Sequence, residues 1–575
     1  MLLLISCAKR RWAVGAALAA SLLAAGAPAA SAQTATDRVR IPFPAYDGTL
    51  TPYTFGIGYP LVTLVYDTLL WRDEEGVPRP WLAQSVRRSN GGRRLTVRLR
   101  SGVRWHDDRP LTAADVAFTY RFVQTNYQPR FTPQLRDLES VRARGRSTVV
   151  FDLRRPSLGF DDQPLSDVPI LPRHLWRDLP SGAAAPAGLP VGSGPYRLAS
   201  AHRRRGYVLR ATEGYFKGAP RVREIRVPII GDAERTYDAL RGRRVDMVPL
   251  SLPADAAASL GSSLGLAVRR GPFYAGTMLV LNLRRAPFNE LEARETVSDA
   301  VDLDLIVRRV APAVAADEGF IHPDSRWAAG VDPDRPEPSA EGSLTLDENP
   351  FEVLAPSNDP VRLEAGRRVV AALKEAGIPA TLGRRSRAQL DRAIGDDGSE
   401  PDFDAAITSI PALVSHDPDA LTRLFASDES LAPLNASGYS SDDFDKAARD
   451  IATTQDPTDR RRLIRAQQKL LAEDVPAIPL FFPQGTFAFR GSSYNGWTYV
   501  RGDGILDKQS FLTPASGEAT PPPATDDLPA SDDAPPSDSD SGSGVSVVNI
   551  ISIVALLAVA ILAFFGFREW RRNRP

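Results

Sequence analysis

The chain has 575 residues, and its 70 basic and 70 acidic side chains give a formal net charge of zero. With 43% hydrophobic residues it is neither a strongly basic nucleic-acid binder nor a disordered chain, and a mean hydropathy of -0.22 excludes a protein with many membrane spans. The single cysteine, Cys7, lies in a predicted export signal, so the exported chain has no disulfide and no cysteine-based metal or catalytic site.

The first 32 residues have the pattern of a secretory signal peptide. Basic residues at 9–11 precede an apolar stretch at 13–25, and Ala30-Ser31-Ala32 fits the small-residue cleavage motif. The segment Leu4-Ile5-Ser6-Cys7 also resembles a lipoprotein box, although neither a positive charge nor an apolar core precedes it. We therefore expect the chain from residue 33 onward to be exported.

A compact structural unit is predicted between residues 94 and 123. Residues 94–100 alternate apolar and polar side chains, which is the pattern of a half-buried strand. A turn at Ser101-Gly102 is expected to lead into a second short strand that carries Val103 and Trp105. Thr112 and Asp115 then have the spacing of a capping box, which predicts that a helix begins directly after Thr112.

Two glycine motifs that could carry chemistry are interpreted as structural. Gly261-Ser-Ser-Leu-Gly265 matches G-x-S-x-G, but a helix-like segment precedes it and a strand-like segment follows, the reverse of the order that a nucleophile elbow requires. Gly192-Ser-Gly194 lacks the third glycine and the helix of a phosphate-binding loop. We expect its glycines to adopt positive φ in a tight turn before a strand. The sequence therefore indicates no catalytic residues.

The other polar motifs also favour structural roles. The histidines show no metal-ligand spacing, so we expect no metal site and no cofactor, although a chelated metal could still be the ligand; they are His106, His174, His202, His322 and His416. Arg501-Gly502-Asp503 is interpreted as a surface loop. The acidic residues at 442, 443 and 445 are interpreted as the N-terminal charges of a helix.

The C-terminal end of the chain predicts a membrane anchor. Residues 545–567 are apolar and uncharged, and at about 1.5 Å per residue they span roughly 34 Å, enough to cross a bilayer. Arginines follow at 568, 571, 572 and 574, so the positive-inside rule predicts a basic cytoplasmic tail at residues 568–575. Residues 514–544 consist mainly of Pro, Ser, Thr, Asp and Gly and are predicted to form a disordered linker.

Several segments, taken in order, resemble the family 5 extracytoplasmic solute-binding proteins, the peptide- and nickel-type receptors of ABC importers. Residues 66–123 are similar to the signature of that family, and residues 192–196 resemble its Gly-Thr-Gly-Pro-Tyr turn. Further matches are Leu281-Asn-Leu-Arg-Arg-Ala-Pro-Phe288, Leu373-Lys-Glu-Ala-Gly-Ile378, Gly438-Tyr-Ser-Ser-Asp442 and Ala477-Ile-Pro-Leu480.

The resemblance implies an α/β fold, a two-lobed clamp like that of the periplasmic binding proteins, to which residues 545–567 would add a single C-terminal transmembrane helix. Lobe one would comprise residues 33–270 with a returning segment at 485–513, and lobe two residues 271–484; lobe one could itself be divided. Two crossover strands are expected near residues 270–274 and 482–487. A solute would bind in the cleft between the lobes and hold them closed.

The resemblance also implies which residues line the cleft, although each aromatic side chain among them could equally belong to a core. Lobe one would contribute Tyr53, Phe55 and Gly56, and the first crossing would contribute Phe273, Tyr274 and Ala275. The residues expected from lobe two are Ser409, Ile410, Leu413, Val414, His416, Phe481 and Phe482.

One departure from the family pattern concerns the ligand. Peptide receptors of this family carry an aspartate three residues before the acidic residue of an Asp-Pro-like step, and this aspartate pairs with the amino group of the peptide. Here Val414 stands three residues before Asp417, so the charged anchor is missing. Its loss favours blocked peptides, sugars or another uncharged solute, and His416 could supply a hydrogen bond instead.

Three classes of function are compatible with these features. The first is a membrane-tethered receptor that captures a peptide-class or similar small solute outside the cell and delivers it to an ABC permease, acting as a monomer and without nucleic acid. The second is a surface ligand sensor with no transport partner. The third is an anchored, secreted hydrolase, against which the lack of a credible nucleophile argues.

Overall fold

The computed structural model describes residues 36–512, except for Ile57, 180–184, 311–312, 317–318, 329–349, 358, 396–397, 430 and 433. These residues all belong to one compact unit, which extends to residue 515. Across them, no helix is both long enough and apolar enough to cross a membrane. The predicted signal peptide, linker, anchor and basic tail lie outside the described residues and stay predictions.

The strands follow one another along the whole described chain. In chain order they are β1 (Thr36–Arg40), β2 (Leu70–Arg72), β3 (Pro78–Pro80), β4 (Ala83–Ser89), β5 (Arg94–Leu99), β6 (Leu138–Arg144), β7 (Thr148–Leu153), β8 (Tyr196–His202), β9 (Gly206–Ala211), β10 (Val222–Val227), β11 (Ala267–Pro272), β12 (Gly276–Leu281), β13 (Ala313–Ala315), β14 (Phe351–Pro356), β15 (Ala380–Arg385), β16 (Ala405–Ile410) and β17 (Ala477–Phe489).

The helices alternate with these strands. They are α1 (Tyr59–Val65), α2 (Ala113–Thr125), α3 (Arg173–Trp176), α4 (Ala233–Arg241), α5 (Ala254–Gly261), α6 (Leu291–Ala300), α7 (Leu303–Val310), α8 (Pro360–Glu375), α9 (Arg387–Ile394), α10 (Ala412–His416), α11 (Thr422–Phe425), α12 (Asp442–Thr453) and α13 (Pro457–Asp474). Short 3-10 turns occupy Thr132–Leu135, Leu158–Phe160, Pro418–Leu421 and Lys508–Phe511, and Asp161–Leu165 forms a π-helical turn.

Lobe one is built on two four-stranded sheets, with strand orders β1-β10-β9-β8 and β4-β5-β7-β6, and a small β2-β3 ribbon. Each large sheet covers its own hydrophobic core. In β5 the apolar side chains are buried, as the alternation predicts. The capping box is also confirmed, because the amide of Thr112 donates to Asp115 Oδ2 at 2.9 Å where α2 begins.

The predicted second strand around Val103 and Trp105 is wrong. Both side chains are buried, but the backbone forms only a single bridge between Arg104 and Pro110. The chain turns back too soon for a ladder, because Asp108 adopts a φ of 66° and its amide bonds to the carbonyl of Trp105 at 2.9 Å.

Gly192 and Gly194 do precede a strand, but the prediction that they adopt positive φ is wrong. Positive-φ glycines occur elsewhere in the described residues, and these two are not among them. A Cβ on either glycine would overlap the backbone of α1 at Leu64 and Val65. The motif therefore requires glycine because two backbone segments approach closely, not because of a special dihedral angle.

Lobe two is built on a mixed sheet in the order β11-β17-β12-β16-β14-β15, with β13 paired to β17. Apolar cores cover both faces of this sheet. The strand β17 connects the two parts of the chain: Ala477–Phe481 pairs with β12, and residues 484–489 pair with β11 in an antiparallel ladder. The crossover strands expected near residues 270–274 and 482–487 fall within or next to this ladder. The lobe boundaries stay a prediction.

The C-terminal end of the described chain is attached to lobe one. Lys508 Nζ lies 2.9 Å from Asp67 Oδ1, and both side chains are fully buried. Trp81 and Tyr215 also donate to Asp67, each at 2.9 Å. The amide of Arg221 donates to the carbonyl of Phe511 at 2.7 Å. These contacts hold the last described residues against the β1-β10-β9-β8 sheet and its core.

Candidate functional site

Lobe one and lobe two contact each other through charged and polar side chains. Arg136 of lobe one pairs with Asp419 of lobe two, and Arg326 of lobe two pairs with Asp162 of lobe one. Salt bridges at such a surface hold the lobes in one relative position, because the geometry of each pair is specific. This surface, which we call the interlobe contact, is the strongest candidate for the functional site.

The lobe-two side of the interlobe contact is formed by the Asp417-Pro-Asp419 step. Asp417 caps the 3-10 turn Pro418–Leu421, and α13 supplies Arg460, whose guanidinium lies 2.7 Å from Asp417 Oδ1. Both side chains of this pair are at most 1% exposed. Burial alone would raise the pKa of Asp417, but the charge of Arg460 and the hydrogen bonds to the carboxylate outweigh it and lower that pKa. Asp417 therefore remains ionised inside the protein.

The lobe-one side is the π-helical turn Asp161–Leu165, an element that is rare and often found at functional sites. From it, the Gln163 side chain bridges two residues of lobe two: Nε2 donates to Asp417 and Oε1 accepts from Arg423. Its neighbour Asp162 is buried, and burial raises the pKa of Asp162 to about 6 in spite of the nearby Arg326.

A cluster of rings borders the first crossing. Tyr274 packs between His322 and His416, with ring centres 5.0 Å from each. Burial lowers the pKa of His322 to about 4 and, together with the charge of Arg72, also lowers the pKa of His416. His416 is therefore neutral at pH 7, and its 3.3 Å contact with Asp503 is a hydrogen bond rather than an ion pair. This contact brings the predicted surface loop 501–503 against lobe two.

Two cavities lie along the interlobe contact. The first, of about 20 Å³, is polar and is lined by Gln134, Arg136, Gln163, Asp417, Asp419 and Arg423 among others. The second, of about 180 Å³, is lined mainly by apolar atoms and includes Arg136, Arg155, Thr422, Ala426, Leu431 and Ala448. The first has room for roughly one water molecule. A solute of peptide size can enter only if the lobes separate.

The structure places several of the expected cleft residues in hydrophobic cores of lobe two. Ile410 and Val414 are fully buried, and Phe482 almost fully, on one face of the large sheet; Phe481 is fully buried on the other. That these four side chains line the cleft stays a proposal. Alternation along β17 places Phe481 and Phe482 on opposite faces, and the five-residue helix α10 turns Val414 into the core.

Of the remaining expected residues, Tyr274 and His416 are buried and the others are at least partly exposed. Tyr53 and Phe55 pack partly buried in lobe one, where Tyr53 Oη donates to the carbonyl of Asn126 at 3.0 Å. The Gly56 amide donates to Asp47 Oδ2 at 2.9 Å. Tyr274 and His416 are brought together, whereas Phe273 packs on Phe487. The partly exposed ones are Ala275, Ser409 and Leu413. A role in ligand contact stays a proposal for all of them.

Sequence reasoning missed the polar residues that join the lobes, although it singled out the Asp417-Pro-Asp419 step. Gln163 and its partner Asp417 are 254 positions apart, and Arg136 and Asp419 are 283 apart. No local pattern connects such pairs. The only available signal was the pair of acidic residues flanking Pro418, which are uncommon as buried groups unless they are paired.

The structure also describes the motifs that were interpreted as structural. The helix α5 ends at Gly261 and β11 begins at Ala267, so the helix-to-strand order around Ser263 is confirmed. Ser263 Oγ donates to the carbonyl of Ser259 at 2.9 Å. Among the described residues, no group of three or more His, Cys, Asp or Glu side chains is arranged to hold a metal ion. Ser441 caps α12, which confirms the acidic N-terminus.

The family described as bacterial extracellular solute-binding proteins, family 5 Middle, matches residues 77–431. The chain belongs to this family. A solute-binding family accounts for the arrangement seen here, in which two lobes are joined by paired strands and meet at a polar surface. The chain is also similar to Protein XP55 of Streptomyces lividans, which is 28% identical over 430 residues, covering 67% of this chain and 77% of that protein.

Other family 5 proteins resemble this one in sequence and in fold. The oligopeptide-binding protein AppA of Bacillus subtilis (strain 168) is 22% identical over 451 residues, covering 74% of this chain and 82% of AppA. The structure of AppA from Bacillus subtilis with a nonapeptide superimposes with a TM-score of 0.72 at 21% identity, covering 84% of this chain and all of that one.

A second solved structure confirms the fold. NikZ from Campylobacter jejuni, solved with Ni(L-His), superimposes with a TM-score of 0.67 at 21% identity, covering 79% of this chain and 94% of NikZ. The two-lobed α/β fold of the periplasmic binding proteins is thereby confirmed.

Proposed function

We propose that this protein is a membrane-tethered receptor that captures a peptide-class or similar small solute outside the cell and delivers it to the permease of an ABC importer. The observation that carries the proposal is the interlobe contact, because two lobes joined by the β11-β17 ladder can close on a solute only where these side chains meet. The peptide class is supported by the relative AppA, which is named for oligopeptides and was solved with a nonapeptide.

Binding requires the lobes to open and close. The cavity of about 20 Å³ at the interlobe contact is too small for a dipeptide, so a solute must enter after Gln163 has left Asp417 and Arg423. The lobes would then move about the β11-β17 ladder as a hinge. A solute shifts the protein toward closure only to the extent that it binds the closed form more tightly than the open one.

The solute is proposed to lack a charged amino group at the position of Val414. This residue is apolar and fully buried, so it offers no partner for an ammonium ion, and an unpaired charge in the closed cleft would be unfavourable. A peptide with a blocked or distant amino terminus fits this requirement.

Native mass spectrometry of the protein purified from its own host tests the proposal. We expect a mass increment that tandem fragmentation identifies as a peptide or a similar amide-containing solute. A bound nickel chelate, or a protein that carries no solute and binds none from a peptide mixture, would contradict the peptide class. Co-purification of an ABC permease would distinguish the receptor from a surface sensor, because the sensor has no transport partner.

A further inference from the structure

One buried arginine at the interlobe contact has no carboxylate partner. Arg423 is 8% exposed and lines the polar cavity between the lobes. Its guanidinium donates to Gln163 Oε1 and to the main-chain oxygen of Arg130 at 3.0 Å, so both acceptors are neutral oxygens of lobe one. No described carboxylate lies close enough to form an ion pair with it. The hydrogen-bond acceptors of Arg423 are therefore amide oxygens, while Asp167, Asp417 and Asp419 stabilise its charge from a greater distance.

The nearby carboxylates compensate Arg423 only in part and from beyond ion-pair distance, because each of them, including Asp167 with Arg130, is paired with another guanidinium. Asp137 pairs with Arg155 at 2.5 Å, Asp417 pairs with Arg460 at 2.7 Å, and Asp419 pairs with Arg136. Burial disfavours the charged form of Arg423 and lowers its pKa to about 10, but the group is still positive at pH 7. A buried guanidinium without a carboxylate in direct contact would be better stabilised by an anion placed beside it.

A second polar atom in the same cavity also has no partner. Gln134 is 8% exposed, and its Nε2 donates to Asp167 Oδ2 at 2.6 Å and to the carbonyl of Arg130 at 2.8 Å. These bonds fix the orientation of the amide, and its Oε1 is a buried acceptor without a donor in a residue that lines the cavity. A buried acceptor without a donor costs free energy, and an N–H group of a bound solute would satisfy it.

We propose that Arg423 binds a carboxylate of the solute and that Gln134 accepts a hydrogen bond from an N–H group adjacent to that carboxylate. The C-terminal residue of a peptide and an N-acylated amino acid both carry these two groups. On closure, the solute carboxylate would replace Gln163 as the acceptor of Arg423, and two opposite charges in a bidentate pair attract more strongly than the guanidinium and a neutral amide oxygen. The inference deepens the proposed function and rests on it.

Two pools of N-acetylated tripeptides with the same mixed sequences test this inference, one pool with free carboxylates and one with C-terminal amides. The full chain, purified in detergent, is incubated with both, and the peptides retained after gel filtration are quantified by mass spectrometry. We expect the wild-type protein to retain at least about tenfold more free acid than amide. Arg423→Gln should lose this preference. Arg423→Lys should keep part of it, because lysine retains the positive charge but cannot bind a carboxylate through two parallel N–H groups.

Arg465→Gln serves as the matched control, because Arg465 is an exposed arginine of the same lobe on α13. It should retain the pools as the wild-type protein does, and thermal melting shows that each variant is folded. Equal retention of the two pools by the wild-type protein would overturn the carboxylate inference and leave peptide binding intact. If the wild-type protein retains neither pool, both the carboxylate inference and the proposed peptide class are contradicted.

Discussion

Arg460 and Asp417 form an ion pair at 2.7 Å in which neither side chain is more than 1% exposed. The pair belongs to lobe two, but Asp417 also accepts a hydrogen bond from Gln163 of lobe one. Asp417 therefore contributes both to the stability of lobe two and to the contact between the lobes. Trp327 covers the other side of the guanidinium, with its ring centre 4.5 Å from the central carbon of Arg460.

Arg460→Met should strongly destabilise the protein, because it leaves the Asp417 carboxylate buried without its charge partner. We expect the free energy of unfolding to fall by about 3–5 kcal/mol in urea titrations. Arg462→Met is the control: its partner Asp459 lies 3.4 Å away and both side chains are mostly exposed, so the change should stay within about 0.5 kcal/mol. Equal effects in the two variants would show that the buried pair is not required.

Gly194→Ala should also destabilise the fold, because the new Cβ would overlap the backbone oxygen of Leu64. Overpacking of this kind costs about 1–3 kcal/mol, measurable as a lower midpoint of urea unfolding. Gly491→Ala should have little effect, since no atom lies within 4 Å of its Cβ and its φ is not positive. A Gly194→Ala variant as stable as Gly491→Ala would contradict the close approach.

Asp162 should give the protein a specific dependence on pH. Its pKa is raised to about 6 in the folded protein, above the value of an unfolded aspartate, so the folded state binds this proton more tightly. Its stabilising contribution is complete at low pH and is lost as the pH rises through 6. Between pH 5 and pH 7 the wild-type protein should lose roughly 1 kcal/mol that the Asp162→Asn variant does not lose.

The measurement is the difference in the free energy of unfolding between these two proteins at several pH values. Other groups titrate equally in both proteins and cancel in the difference. A difference that is constant from pH 5 to pH 7, or one that grows with pH, would exclude a raised pKa for Asp162.

Val414→Asp should destabilise lobe two rather than create a site for an amino group. Family alignment suggests this substitution as the way to restore a charged anchor, but the side chain is fully buried among apolar residues of the lobe-two core. A carboxylate there has no partner, and we expect a loss of several kcal/mol or no folded protein at all. Val414→Leu, which stays apolar, should cost about 1–3 kcal/mol by overpacking. A stable Val414→Asp variant that gains affinity for free-amine peptides would show that an aspartate at position 414 can pair with the amino group of a bound peptide.

A chain truncated after residue 513 should be soluble and folded. The described residues end at 512 with Lys508 and Phe511 attached to lobe one, so the truncation keeps every contact among the described residues. The predicted anchor at residues 545–567 would be lost, and the truncated protein should no longer sediment with membranes. Membrane association that persists after truncation would exclude the C-terminal anchor.

Local patterns in the sequence predicted local structure well. The strand Arg94–Leu99 and the helix after Thr112 follow from alternation and from a capping box, which involve only neighbouring residues. The interlobe contact could not be predicted, because it depends on side chains that are far apart in the chain, such as Gln163 and Asp417, which are 254 positions apart. The direction of Val414 could not be predicted either, since α10 has only five residues and packing decides its orientation.

The buried pair of Lys508 and Asp67 has a mechanical consequence. Because the last described residues are attached to lobe one, a pulling force on the C-terminal segment would act on their contacts with that lobe, which include this pair, the backbone bond between Arg221 and Phe511 and the bond from Gln509 Nε2 to the carbonyl of Arg72. The β11-β17 ladder lies outside that load path. Tension on the chain after residue 512 would therefore neither separate the lobes nor bring them together. Lobe two could still move relative to lobe one.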